Sequence, residues 1–511
     1  MPDKLKKEPE PQRGPLATWL ERAIVATMFL FVAGAPNSIA ATQAAAMLGG
    51  LFWVVRLFIW PKPKLQRTPI DYPMFAFFLL SALSSFLSYE PAVSIGKLRA
   101  AALFLIVYLF AENVRSIPLL RLLTVLLIVS CMVNVIYTFG QFAFGRGVRI
   151  EGVAANSPLR EARLISRSHN QAIPITSGDT VEAVNGTPVR DVDEVVKGLE
   201  LSLTEKGPAR IGIYRYEWIV TLEVPRGRLL PGTTPEARLG IQSWRYGRDR
   251  RATGFYGHWT TYAEALQLIG SLAFGLLIAL PKKIGRNGVL LALAIAGISG
   301  ALLLSVTRAS WLSFLLSAIL ISVLGLSRRA VLVIGLAAVP LVLAGLFVLQ
   351  QKRNVGFFDR KDDSIAWRQK TWREGAGLLA SSPRHLLVGV GMDSIKANWR
   401  QWGLFDNGKL PMGHMHSDYL QIALERGIPA LLVWLWLLGT YAWTLWRTRL
   451  TVPAENWIER GIVLGALGGL LGFITSGVVH YNWGDSEVVM ILYAIMGLSL
   501  VVWREFKAGI S

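Results

Sequence analysis

Residues Leu119–Phe142 read LLRLLTVLLIVSCMVNVIYTFGQF, an apolar run in which Arg121 is the only charged residue. About 20 apolar residues in a helix cross the ~30 Å hydrocarbon core of a bilayer, so this stretch predicts a transmembrane helix. Working outward from it, similar runs recur along most of the chain. Twelve spans are expected, near Leu16–Ala33, Ile39–Ile59, Tyr72–Leu87, Leu98–Glu112, Leu119–Phe142, Trp259–Leu280, Gly288–Val306, Ala309–Leu326, Ala330–Leu349, Gly427–Trp446, Gly461–Val479 and Val488–Val502. Composition agrees: 52% of the 511 residues are hydrophobic and only 17% charged, against about 25% charged in a soluble protein, and mean hydropathy is +0.42. The expected fold class is an all-α polytopic membrane protein, and a soluble enzyme of three ordinary domains is excluded. The single cysteine, Cys131, lies inside a span and rules out a disulfide within one chain.

The formal charge of +19 would raise nucleic acid as a partner for a soluble protein. Here its distribution points elsewhere. Lys4, Lys6, Lys7 and Arg13 precede the first span, and Lys62, Lys64, Arg115, Lys282, Lys283, Arg328, Arg329, Arg447 and Arg449 fall in even-numbered connections, with Arg504 and Lys507 after the last. Basic residues collect in cytoplasmic loops, so both termini are expected in the cytoplasm and the odd connections outside. Among the short outer connections and outer span ends, Arg308 and the pair Lys97 and Arg99 break the pattern. Two outer connections are long, and they carry net charges of +4 (Gly145–Tyr256) and +5 (Gln350–Met415). The expected organisation is 1–144, five spans; 145–256, an insertion; 257–349, four spans; 350–416, an outer loop; and 417–511, three spans.

The insertion contains Ser177-Gly178-Asp179-Thr180-Val181 and then Asn185-Gly186, a strong hairpin turn. A helical pattern at Val192–Leu201 and alternating strands at Ala209–Arg215 and Trp218–Val224 follow. This order resembles a bacterial PDZ domain, and the resemblance implies a small α+β fold that adds a peptide strand to a sheet edge, hence a protein partner. Residues Ile165–Ile175 depart from the pattern. A PDZ domain beside spans suggests an intramembrane protease, yet the zinc signature His-Glu-x-x-His is absent from the sequence, and Gly297-Ile298-Ser299-Gly300 reads as helix packing.

Six histidines, His169, His258, His385, His414, His416 and His480, all fall in outer segments or at outer span ends. The cluster Gly413-His414-Met415-His416-Ser417-Asp418-Tyr419-Leu420-Gln421, continuing to Glu425-Arg426-Gly427, resembles the signature of the O-antigen ligase and polymerase superfamily. His416 takes the position of that family's essential His. Arg251–His258, Thr307-Arg308-Ala309-Ser310-Trp311, Arg368 with Trp372, and Gly389, Gly391 and Met392 resemble further family elements in the same order. The resemblance implies a GT-C-like enzyme of the bacterial inner membrane, without cofactor. It would transfer a glycan from undecaprenyl diphosphate to a hydroxyl of lipid A–core, or to a growing glycan if the chain is a polymerase. The catalytic residues it implies are His416 as base and Arg308 as diphosphate clamp, with Arg251, His258, Arg368, His414, Tyr419 and Glu425 binding substrate.

Elementary chemistry fits this scheme. A histidine suits proton removal from a hydroxyl, and an arginine fork matches phosphate oxygens. Glu264, an acid inside a span, is a functional candidate by default, and His480 and Asp485 border the last outer turn. Asp362-Asp363 is the one hint of a metal site, but adjacent acids on a loop are more often solvated, and no metal is expected. A twelve-span transporter is the second alternative. It predicts internal repeats and broken midplane helices, and neither is visible in the sequence. A PDZ-like scaffold with the spans as anchors would leave the His416 region without a role.

Overall fold

A computed structural model of the chain describes residues 14–166, 169–200, 207–215, 218–248, 250–353, 363–410 and 413–507. The basic residues Lys4, Lys6, Lys7 and Arg13, and the acid Asp362, lie outside the described residues. The chain divides into two compact units, one of 1–135 with 253–511 and the other of 136–252.

The first unit is a bundle of apolar helices. Ten helices among the described residues are long and apolar enough to cross a membrane, and the chain is a polytopic membrane protein. The expected third span corresponds to Asp71–Phe86, which at 16 residues is shorter, and the expected ninth lies on the helix Arg328–Arg353, which carries Pro340. The expected fourth lengthens to Pro91–Asn113, where two α-helices join through a 3-10 turn at Ala102–Phe104.

Burial sorts the helices. Trp259–Ala279, Trp457–Ser476 and Ser486–Phe506 are largely enclosed, whereas others present an apolar face outward, with Leu293, Val133 and Trp443 all exposed. Apolar side chains on an outer face are the mark of a surface solvated by lipid rather than water. Small residues bring the enclosed helices close together. A Cβ added to Gly465 would lie 2.6 Å from Leu272 Cα, and one on Gly461 2.7 Å from Leu276 Cα. Polar contacts then fix the register: Gln267 Nε2 donates to Ser317 Oγ at 3.0 Å, and Ser317 Oγ donates to the Gly468 carbonyl at 2.7 Å. Thr475 Oγ1 likewise donates to Ser313 Oγ at 3.1 Å, so Trp457–Ser476 and Arg308–Gly325 run side by side.

The second unit is an antiparallel α+β domain. Its strands are β1 Val148–Val153, β2 Arg163–Ser166, β3 His169–Ala172, β4 Thr180–Val184, β5 Thr187–Pro188, β6 Ala209–Arg215, β7 Trp218–Val224 and β8 Ile241–Tyr246. They form one sheet in the order β3-β2-β7-β6-β4-β1-β8, and β5 pairs with β4. Asn185 and Gly186 have φ of 52° and 82°, the left-handed pair that closes a tight hairpin between β4 and β5. The helix Val192–Leu199 is capped by Asp191, whose side chain accepts the Glu194 N–H at 2.9 Å. It buries Val192, Val195, Val196 and Leu199, one helical face, among Val181, Ile211, Ile213 and Leu222 of the sheet. The stretch that departs from the expected pattern contributes to the β2–β3 hairpin at one sheet edge.

Candidate active site

The site grows from the start of the helix Asp418–Thr451. Ahead of it, Gly413 has φ of 144° and His416 φ of 50°. A histidine held in the left-handed region stores strain that the surroundings must enforce. Two ties enforce it. The Met415 N–H donates to Gln421 Oε1 at 2.7 Å, and Trp372 Nε1 donates to the Met415 carbonyl at 2.8 Å. Asp418 fastens a second turn to the same place: its N–H donates to the Gly477 carbonyl at 2.8 Å and its Oδ1 accepts the Trp483 N–H at 2.9 Å. The turn that carries His480 and Tyr481 is thereby drawn beside the helix start.

Around His416 the rings are close. Its centroid lies 3.9 Å from that of His414 and 4.6 Å from that of Trp367, and the Arg368 guanidinium sits over the Trp367 ring at 4.9 Å. Burial and the nearby His414 and Arg368 push the His416 imidazolium down to about 2, and burial with Lys396 pushes His414 to about 4. Both rings are therefore neutral near pH 7. The His416 N–H donates to His414 Nδ1 at 3.1 Å. With Nδ1 accepting, neutral His414 carries its proton on Nε2 and is a hydrogen-bond donor.

Glu425 organises the other wall. Its Oε1 accepts from the Asp393 N–H at 2.9 Å and Gln421 Nε2 at 2.8 Å, and its Oε2 from Arg426 Nη1 at 3.1 Å and Tyr481 Oη at 3.4 Å. The backbone carbonyl of Glu425 accepts from the Gly391 N–H at 2.9 Å and from Ser84 Oγ at 2.7 Å. This close approach explains the glycines of the loop: a Cβ on Gly389 would lie 2.3 Å from the Glu425 carbonyl carbon, and one on Gly391 1.9 Å from Ser88 Oγ. Gly427, with φ of 84°, breaks the long helix just after this hub.

These elements enclose a cavity of about 420 Å³. His258, His414, Lys97, Lys396, Glu425 and Asp485 are among the residues that line it. His258 caps the helix Trp259–Ala279 through Nδ1, which accepts the Thr260 N–H at 3.3 Å. One turn further on, Glu264 is buried and meets His480 Nδ1 at 2.7 Å. Thr261 Oγ1 donates to Asp485 Oδ2 at 2.5 Å. Burial, with the neighbouring Glu487, holds the Asp485 carboxyl well above the usual carboxylate range.

The structure thus brings together His258, His414, His416, Arg368 and Glu425 of the expected residues. Arg308 begins the helix Arg308–Gly325 and does not line the cavity, but it lies at the end where Thr475 and then His480 leave the neighbouring helix. Tyr419 packs its ring on Trp434, with centroids 5.4 Å apart, and donates to the Ile474 carbonyl at 3.1 Å. Arg251 belongs to the inserted unit, where its N–H donates to Tyr214 Oη at 3.3 Å. His385 is buried between the Tyr89 hydroxyl and the Leu378 carbonyl, each 2.8 Å away, a structural histidine. Sequence reasoning missed Asp393, Lys396, Arg426 and Tyr481. Only their nearness to known motifs could have signalled them. Among the described residues no group of three or more His, Cys, Asp or Glu side chains is arranged to hold a metal.

No curated protein matches the chain. Residues 266–435 match the family model described as O-Antigen ligase. The match takes in Arg308, Arg368, His414, His416 and Glu425, and over that part of the chain it supports the O-antigen ligase superfamily.

Proposed function

We propose that the protein transfers a glycan from undecaprenyl diphosphate to a hydroxyl of lipid A–core on the outer face of the bacterial inner membrane. The observation that carries this reading is the cavity at one end of the bundle. His414 lines it, the His416 ring packs against His414 just behind the wall, and Arg368 is near enough to act on His416, all within the stretch that matches the O-antigen ligase family.

In this scheme the acceptor oxygen attacks the anomeric carbon of the glycan. The bond from that carbon to the diphosphate oxygen breaks, and undecaprenyl diphosphate leaves with the electron pair. His416 takes the acceptor proton. Arg308 and Arg368 hold the diphosphate as charge grows on the leaving oxygen, and His414 supplies an Nε2–H donor. The low basicity of His416 is consistent with this role. A diphosphate brings negative charge beside the imidazole and raises its affinity for a proton, so the base is strongest when substrate is present. The Glu425 hub holds the loop 389–393 and Met415, and it acts as a positioning group. The inserted domain, PDZ-like in its sequence pattern, is assigned to a protein partner.

The test is deletion of the protein in its native host, followed by a lipopolysaccharide ladder gel. Loss of core-linked O-antigen, with glycan accumulating on the lipid carrier, supports ligation. Core capped by a single repeat would assign a polymerase instead, and an unchanged ladder would overturn both.

A further inference from the structure

Lys97 is a cation within the apolar stretch Pro91–Asn113, at a span end where basic residues are scarce. In the structure it has a counterpart. Asp393 Oδ2 accepts from Lys97 Nζ at 3.0 Å, and Asp393 Oδ1 from Lys396 Nζ at 2.8 Å. The two ammonium groups come from helices nearly 300 residues apart in the chain, and all three side chains line the same cavity as His414. Asp393 is held in the left-handed region, φ 63°, with its N–H donated to Glu425, so its position is fixed by the hub.

Of the four carboxylates that line the cavity, Asp485 and Glu487 are hydrogen-bonded to each other, which leaves Glu425 and Asp393 to the cations. Arg426 is taken up by Glu425, whereas one carboxylate of Asp393 serves two ammonium groups. Both lysines are about half exposed, at 43% and 53% of the side chain, and are open to a ligand. Their spacing already grips one bridging anion with an oxygen for each lysine. Lys97 lies about 9 Å along its helix from Pro91, close enough to the helix end for a long side chain to snorkel toward it.

We propose that Lys97 and Lys396 form a subsite for a lipid-borne phosphate at the cavity wall, with Asp393 as the resident carboxylate that keeps the two ammonium groups paired when the subsite is empty. The ligand chemistry is a phosphate or diphosphate on a lipid, from either the polyprenyl carrier or a phosphorylated acceptor lipid. The subsite rests on the transferase reading only for the identity of that lipid.

The experiment measures binding by the purified full-length protein in neutral detergent, followed by its tryptophan fluorescence. The probes are a polyprenyl diphosphate without glycan, phosphatidic acid and, as the uncharged control, a polyprenol. For the double variant Lys97→Gln/Lys396→Gln, phosphate-lipid affinity is expected to fall by about tenfold or more, as for loss of charge-assisted hydrogen bonds, with polyprenol binding unchanged. Loss confined to the diphosphate assigns the subsite to the carrier, and loss confined to phosphatidic acid assigns it to a phosphomonoester. Asp393→Asn keeps a residue that tolerates the left-handed backbone and removes the competing charge, so it is expected to bind the phosphate lipid several-fold tighter, an outcome misfolding does not produce. Affinities within twofold of wild type for both variants would overturn the subsite. Because no glycan transfer is measured, that result leaves the transferase reading intact. An unchanged lipopolysaccharide ladder on deletion would remove the transferase reading and leave the subsite standing.

Discussion

Replacing Glu425 by Gln tests whether this carboxylate holds the site together. Glu425 is buried, as is Arg426 beside it. Its two oxygens take four donors, and the contact to Arg426 Nη1 is 3.1 Å. Glutamine keeps one acceptor oxygen and puts an NH2 where the other was, facing a guanidinium and a phenol. A neutral hydrogen bond lost here costs about 1 kcal/mol. Leaving a buried guanidinium without its counter-ion costs about 3–5 kcal/mol and dominates. That is a large share of a total stability of about 5–15 kcal/mol. The charge explanation has a specific signature. Arg426→Met leaves Met392 and Phe77 in contact with an apolar chain of similar length and removes the orphaned charge. In Glu425→Gln/Arg426→Met most of the loss is therefore recovered. The assay is thermal and denaturant unfolding of the four proteins of the cycle in one detergent. A coupling energy of about 2 kcal/mol or more is expected, and additivity within about 0.5 kcal/mol would refute the reasoning.

Three further outcomes follow from the same geometry. His414 is held at about 4 in the folded protein against about 6.5 unfolded, so the unfolded state binds more protons between these values. Stability present above pH 6.5 is lost as pH falls toward 4, and His414→Ala flattens that stretch of a melting-temperature profile. With His416 at about 2, kcat/KM stays free of a His416 acid limb between pH 5 and 8, while kcat, which reports the substrate complex, acquires one at higher pH. Gly391→Ala drives a methyl against Ser88 Oγ and against a left-handed φ of 99°; transfer falls at least tenfold with expression retained, and normal transfer would show that the 389–393 loop does not position the site.

Much of the fold could be read from the sequence because its signals are local. Apolar runs of about 20 residues identify helices whatever they pack against, and Asn185-Gly186 specifies its hairpin because few residues accept positive φ twice in succession. The strands Ala209–Arg215 and Trp218–Val224 lie where alternation put them. Asp71–Phe86 was harder, since a short apolar helix has the composition of a span without its length. In the site, His414 and His416 were visible because their stretch, through Glu425, resembles a family signature. What spacing could not give is the partnership of distant segments: His480 with Glu264, Lys97 with Asp393, and Ser84 with the Glu425 carbonyl. The glycines of the loop show the same limit. Gly389 and Gly391 were legible as a motif, but their reason is the backbone of Glu425 and the side chain of Ser88 pressed against them.

The central claim is that His416 removes the acceptor proton in a glycan transfer. The most direct test is transfer by purified His416→Ala protein from undecaprenyl-diphosphate-linked glycan to lipid A–core, with donor binding measured in parallel. Loss of a general base lowers kcat by about 10²–10⁴-fold, so that fall is predicted with donor affinity held within a few-fold. Transfer within threefold of wild type would contradict the account.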